Sequence, residues 1–168
     1  MSSAERPPPA AQGLSAEGGC TCRAVRYRLG RSPLIVHCCH CRWCQRETGS
    51  AFVINALIET SHLTRLAGDP QRVPTPSNSG KGQTIARCPS CQVAVWSHYA
   101  GGGDNVAFIR VGTLDEPGRL PPDVHIFTST KQPCVTLPAS ARVFPEFYAP
   151  PDVWSNDARQ RWAAVKAQ

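Results

Sequence analysis

The sequence has no long hydrophobic run and no dense basic block, and each absence excludes a class of function. No segment approaches the roughly 20 consecutive apolar residues of a membrane-spanning helix, and residues 1–17 lack the apolar stretch of a secretory leader. The 18 basic residues are scattered along 168 positions with no Lys/Arg cluster interleaved with aromatics, which argues against nucleic acid as a partner. No internal repeat is visible either. These features predict a cytoplasmic protein that engages neither membrane nor nucleic acid.

What the chain has in excess is cysteine. Nine cysteines leave one thiol over in any disulfide scheme, and cytosolic thiols are kept reduced, so tight spacings point to metal ligation rather than pairing. The formal charge of +6 counts every thiol as neutral. A thiol gives up its proton to bind a metal, and seven thiolates around two divalent ions would bring the net charge to about +3. That mild excess suits a small anionic ligand.

A hydrophobic fraction of 41% is enough for one modest core. Residues 1–17, rich in Pro, Ala and Ser, read as a disordered tail. At 24–29, Val25, Tyr27 and Leu29 alternate with Arg26 and Arg28, the pattern of a half-buried strand. Further β-branched or aromatic runs occur at 34–36, 51–58, 93–96, 106–111 and 124–128, with Gly- and Pro-rich gaps at 68–76, 79–82, 101–103 and 117–122. Two helices are expected, 42–48 closed by Gly49 and 156–166 capped by Ser155 with Trp162 and Val165 facing inward. The prediction is an all-β or β-dominated domain over 18–147 with a helical extension over 148–168.

Cys20 and Cys22, one residue apart, project from the same face of an extended segment. Cys88 and Cys91 form a CxxC whose spacers Pro89 and Ser90 suit a tight turn. Together they supply four thiolates, the donor set of a closed tetrahedral zinc that would tie the start of the domain to its middle. The second cluster runs His37, Cys38, Cys39, His40, Cys41, Arg42, Trp43, Cys44. Cys39, Cys41 and Cys44 can converge on a second metal, and the spacing leaves two outcomes open. With three sulfurs alone a coordination position remains for water or a substrate sulfur; with Cys38, His37 or His40 added the shell is closed and structural. All-sulfur shells suit iron as well as zinc.

The run Gly18, Gly19, Cys20, Thr21, Cys22, then Val25, Arg26 and Tyr27, resembles the start of the glutathione-dependent formaldehyde-activating family, also called the CENP-V/GFA domain. Cys39 through Arg46 followed by Gly49, Ser50, Ala51 and Phe52 resemble its central CHCxxC and GSAF segment. Ser79 and Gly80, the Cys88–Cys91 pair, Gly112 to Asp115, and His125, Ile126, Lys131 and Pro133 continue the likeness, which spans about 18–145. Several ordered motifs are far more specific than a lone CxxC. There are departures: Arg23 and Gln92 stand where the family often has Gly, Arg87 where a Phe often precedes the CxxC, and Cys134 where a Trp usually follows Pro133.

The resemblance implies a β-tent fold with small sheets coiled around zinc and two zincs per chain. One is structural, on Cys20, Cys22, Cys88 and Cys91. The other sits on Cys39, Cys41 and Cys44, with Cys38 a bystander. It also implies a carbon–sulfur lyase that joins glutathione to formaldehyde as S-hydroxymethylglutathione, with a small thiol or its aldehyde adduct as partner. Lys81, Arg87, Arg110 and Lys131 are the candidates to hold the carboxylates of such a ligand, and His40 could move protons near pH 7. His125 reads as a packed or hydrogen-bonded strand residue and Asp115 as a turn former. The competing class is a non-catalytic, zinc-stapled protein-interaction module, since a fold does not dictate its use.

Overall fold

Two strands in the middle of the chain carry the architecture, and both are buried on both faces. In β4 (Val53–Glu59) and β9 (Val106–Arg110) nearly every residue is buried, which is why their sequences read as continuous apolar runs rather than alternations. The computed structural model, describing residues 14–149 and 153–167, places them at the centre of a seven-stranded sheet. Its order is β10 (Val124–Ile126), β3 (Ile35–Cys39), β4, β9, β8 (Ala94–Tyr99), β7 (Gln83–Arg87) and β6 (Gln71–Thr75). All pairings are antiparallel except β10 with β3, where His125 lies opposite Cys38. A separate three-stranded sheet has the order β1 (Ala16–Gly19), β2 (Arg26–Leu29), β5 (Leu63–Ala67).

The small sheet covers one face of the large one. Tyr27 and Leu29 of β2, both 0% exposed, pack with Ala56, Ile58, Trp96 and Ile109, and the Tyr27 hydroxyl meets Thr113 Oγ1 at 2.7 Å. Gly18 must be glycine for this packing, because a Cβ there would stand 2.6 Å from the Thr113 carbonyl oxygen and 2.7 Å from the Tyr27 ring.

The opposite face buries Leu34, Leu57 and Val106 beneath Tyr148, Trp154, Ala158 and Val165 of the C-terminal segment. Helix α2 (Asn156–Lys166) starts at Ser155, whose hydroxyl accepts from the Ala158 amide at 3.1 Å. Arg161 docks it on β4 through Glu59, at 2.7 and 2.6 Å, with both side chains about one-tenth exposed.

The β-dominated fold with a short C-terminal helix therefore stands, with no barrel among the described residues, and no described helix is long and apolar enough to cross a membrane. Strands β5, β6 and β7 were not anticipated: β5 and β6 are mostly exposed and carry little apolar signal, and β7 buries only Ile85 and Ala86 in a polar stretch. Strand β6 occupies most of the expected gap at 68–76, and as a sheet edge it tolerates Pro74.

Residues 1–13 of the expected tail lie outside the described residues. Its end is not a tail. Leu14 is buried, and Ala16 and Glu17 pair with Leu29 and Arg28, because backbone ladder bonds outweigh a composition that looks disordered. Residues 150–152 and 168 of the expected extension also lie outside the described residues.

Candidate metal centres and the adjoining cleft

The first four cysteines arrive on two similar turns. After β1 the Cys20 amide donates to the Val25 carbonyl and the Arg23 amide to the Cys20 carbonyl; after β7 the Cys88 amide donates to Val93 and the Gln92 amide to Cys88. The residue at the tight point of each turn, Arg23 (φ 64°) or Gln92 (φ 59°), is left-handed, and these are the two positions where the resemblance led one to expect Gly. The four Sγ atoms lie within 4.8 Å of one another, with Cys20–Cys22 at 3.5 Å and Cys22–Cys88 at 3.6 Å. A tetrahedron with metal–sulfur bonds of 2.3 Å has edges of about 3.8 Å, so the quartet fits a zinc with little movement. Backbone amides of Cys22 and Val93 hold the Cys91 thiol down to about 6.

Cys39, Cys41 and Cys44 form a second convergent group, all buried. Strand β3 delivers Cys39, and helix α1 (Arg42–Thr48) delivers the others. Cys41 is its N-cap, with Sγ accepting from the Cys44 amide at 3.4 Å, and Gly49 in the left-handed conformation closes it. Hydrogen bonds from the Cys39 and Cys44 thiols hold Cys41 at about 3, while Cys39, the donor, is pushed up. Among the described residues no further His, Cys, Asp or Glu joins this trio within 4.8 Å.

The three residues that could have closed it face elsewhere. His37 Nε2 meets the Tyr148 hydroxyl at 2.6 Å, and that oxygen accepts from Trp154 Nε1 at 2.7 Å. Cys38 and His40 converge instead with His125. Burial pushes the His40 imidazole down to about 4, with help from His125 and Lys131. Burial also pushes the Cys38 thiol up to about 12. Asp115 does more than order a turn: its carboxylate accepts from Arg26 Nη1 and Nη2 at 2.7 and 2.5 Å.

The four candidate cations separate. Arg87 and Arg110 line one cleft of about 430 Å³ together with Glu47, Thr48, Phe52, Val53 and Ile54. Arg87 is paired with Glu47. Arg110 is buried, donates from Nη1 to Asn55 Oδ1 at 2.8 Å, and leaves its Nε without a partner among the described residues. Its charge is felt at Cys44, so the cleft and the trio share Arg110 and helix α1. Lys81 instead lines a second cleft of about 780 Å³ with Arg72, His98 and Tyr99. The Lys131 ammonium donates to the carbonyls of Gln132 and Val135 at 3.1 and 2.6 Å. Cys134 is exposed.

Asn55 and Tyr99 escaped the reading of the sequence. Asn55 signals itself as one polar residue inside an apolar run, and Tyr99 lies near enough to Cys44, Cys39 and Cys41 that burial first, and then their charge, raises its hydroxyl. Gln45 ties α1 to the 128–132 turn: its Nε2 donates to the His40 carbonyl at 2.6 Å and to the Thr130 carbonyl at 2.9 Å.

The family model for the glutathione-dependent formaldehyde-activating enzyme matches residues 15–130. A crystal structure of a Rhodobacter sphaeroides protein is similar at 17% identity over 59% of this chain and 87% of that chain, with a TM-score of 0.43. None of the curated proteins matches the sequence.

Proposed function

The chain belongs to the glutathione-dependent formaldehyde-activating enzyme family, and on that basis we propose that it is a zinc-dependent carbon–sulfur lyase for glutathione-type thiol adducts. S-hydroxymethylglutathione is the prototype. The observation that carries this reading is the buried trio of Cys39, Cys41 and Cys44 with no fourth protein donor among the described residues, beside a cleft that holds Arg110.

The reaction needs few parts. In the forward direction the thiol sulfur adds to the carbonyl carbon and the sulfur's proton ends on the carbonyl oxygen; cleavage is the reverse. A zinc ion held by the trio would supply a Lewis acid that favours the substrate sulfur as thiolate at neutral pH. The chain itself positions. Arg110, fixed by Asn55, lines the cleft as a guanidinium for a substrate carboxylate. Arg87, already paired with Glu47, is less free to take a substrate carboxylate. Phe52, Val53 and Ile54 supply an apolar wall, and the cleft volume falls in the range of roughly 300–1,000 Å³ usual for small-molecule sites. Holding both reactants in one place lowers the entropic part of the barrier to the bimolecular addition.

Such adducts also form unassisted, so the test measures exchange above background. Exchange NMR of glutathione with formaldehyde, and of a panel of other thiol–aldehyde pairs, should show acceleration with zinc-loaded protein that Cys41→Ser abolishes. Arg110→Ala should raise the half-saturating thiol concentration roughly 10- to 100-fold, the value of a charge-assisted hydrogen bond. Exchange at the buffer rate for every pair would defeat the lyase reading and favour a zinc-stapled interaction module.

A further inference from the structure

On the other side of β3 from the trio, three donors of a different kind point at one another. Alternation along the end of β3 and the extended residues that lead into α1 sends Cys39 and Cys41 one way and Cys38 and His40 the other, and the parallel pairing of β10 sets His125 opposite Cys38. His40 Nε2 stands 3.0 Å from His125 Nδ1 and 3.5 Å from Cys38 Sγ, and one ligand atom from each of the three lies within 4.8 Å of the others. We propose that Cys38, His40 and His125 form a third metal site, for a divalent ion of the zinc type.

The distances argue for it. With metal–nitrogen bonds near 2.05 Å and metal–sulfur bonds near 2.3 Å, a tetrahedron has N–N edges of about 3.35 Å and N–S edges of about 3.55 Å. Both measured separations fall within a few tenths of an ångström of these values. The bonding argues for it too. A ring nitrogen carries either one proton or one lone pair, so His40 Nε2 cannot serve Cys38 and His125 equally well. A cation accepts a lone pair from all three at once. His40 Nδ1 has no partner among the described residues, so Nε2 carries all of the ring's hydrogen bonds.

The ligands are also held in place. The His40 carbonyl accepts from Gln45 Nε2 at 2.6 Å and Thr130 Oγ1 at 3.0 Å, and its amide donates to Ile126 at 3.0 Å. The His125 backbone is fixed by its amide to Arg142 at 2.8 Å and by the Phe144 amide to its carbonyl at 2.9 Å. Such support keeps donors within the tolerance a metal needs. Cys38 and His40 are 1% and 0% exposed while His125 is half-buried, so an ion enters, and water completes the shell, from the His125 side. Binding releases the Cys38 proton. Lys131, close enough to be felt at His40, has its ammonium on two backbone carbonyls and does not occupy the site.

Zinc titration of the reduced, metal-free full chain, counted by elemental analysis after gel filtration, should reach three ions per chain. It should reach two in Cys38→Ser and in His125→Ala. Imidazole nitrogen chemical shifts report on this site alone: the His40 Nε2 and His125 Nδ1 resonances of the wild type should move as the last equivalent binds. Unmoved ring resonances at saturating zinc would overturn the proposal even if a variant failed to fold. A third ion that persists in both variants would overturn it as well.

Discussion

Arg23 and Gln92 show how a tight cysteine turn constrains single residues. Each sits at the tight point of a cysteine turn with a left-handed backbone, a conformation that costs a side-chain-bearing residue roughly 1–2 kcal/mol. Gln92 recovers part of that through Nε2 donating to the Pro89 carbonyl at 3.0 Å. Arg23 is exposed. Replacing it with glycine removes the strain but adds roughly 0.5–1 kcal/mol of backbone entropy to the unfolded chain. Arg23→Gly should therefore stabilise the zinc-loaded protein by about 0.5–1 kcal/mol in urea unfolding, and Arg23→Val should destabilise it. A loss of stability in the glycine variant would show that the arginine side chain, not the backbone, fixes this turn. Spacing grouped Cys20, Cys22, Cys88 and Cys91 as one ligand set, whereas for the second cluster it left Cys38, His37 and His40 open as further donors, and only the fold turns them away from Cys39, Cys41 and Cys44. Arg110 was only one of four candidate cations for a substrate carboxylate; its distinction comes from Asn55, brought beside it by the β4–β9 register, which no local pattern encodes.

Strand β3 and the C-terminal segment depend on each other through a buried polar chain. Trp154 N–H can only donate, so the Tyr148 oxygen accepts it, and the Tyr148 hydroxyl proton is left for His37 Nε2. His37 is 3% exposed, and burial lowers its pKa from 6.5 to about 4. The unfolded chain thus takes up a proton near pH 6.5 that the folded chain refuses until about pH 4, and stability is lost as pH falls across that window. His37→Gln keeps an acceptor for Tyr148 and removes the titration. Relative to this variant the wild type should lose about 3 kcal/mol between pH 6.5 and 4, read as the difference of two urea-unfolding series so that metal release cancels. Parallel curves would mean that His37 is not held neutral by burial. Both helices and the apolar strands could be read from the sequence, the helices from their caps Ser155 and Gly49. Strands β1, β5, β6 and β7 could not, since ladder bonds to neighbours hold them more than apolar side chains of their own.

In the whole molecule the cysteines add a second tie between two sheets that already share the core around Tyr27 and Leu29. Cys20 and Cys22 leave the small sheet and Cys88 and Cys91 leave the large one, so a closed four-sulfur zinc would cross-link residues 66 apart in the chain at Cys22 and Cys88. The trio does the reverse: its three ligands come from one short stretch running from the end of β3 into α1. A site that a single local segment supplies contributes little to holding the sheets together, and on the proposed lyase reading its fourth position is the one kept for substrate. An anomalous-difference map at the zinc edge, from crystals of the zinc-loaded protein, distinguishes these roles. It should show one ion enclosed by Cys20, Cys22, Cys88 and Cys91, and another on Cys39, Cys41 and Cys44 whose fourth position is filled by solvent. A fourth protein atom on the second ion, or no ion at the trio after reconstitution, would contradict the account.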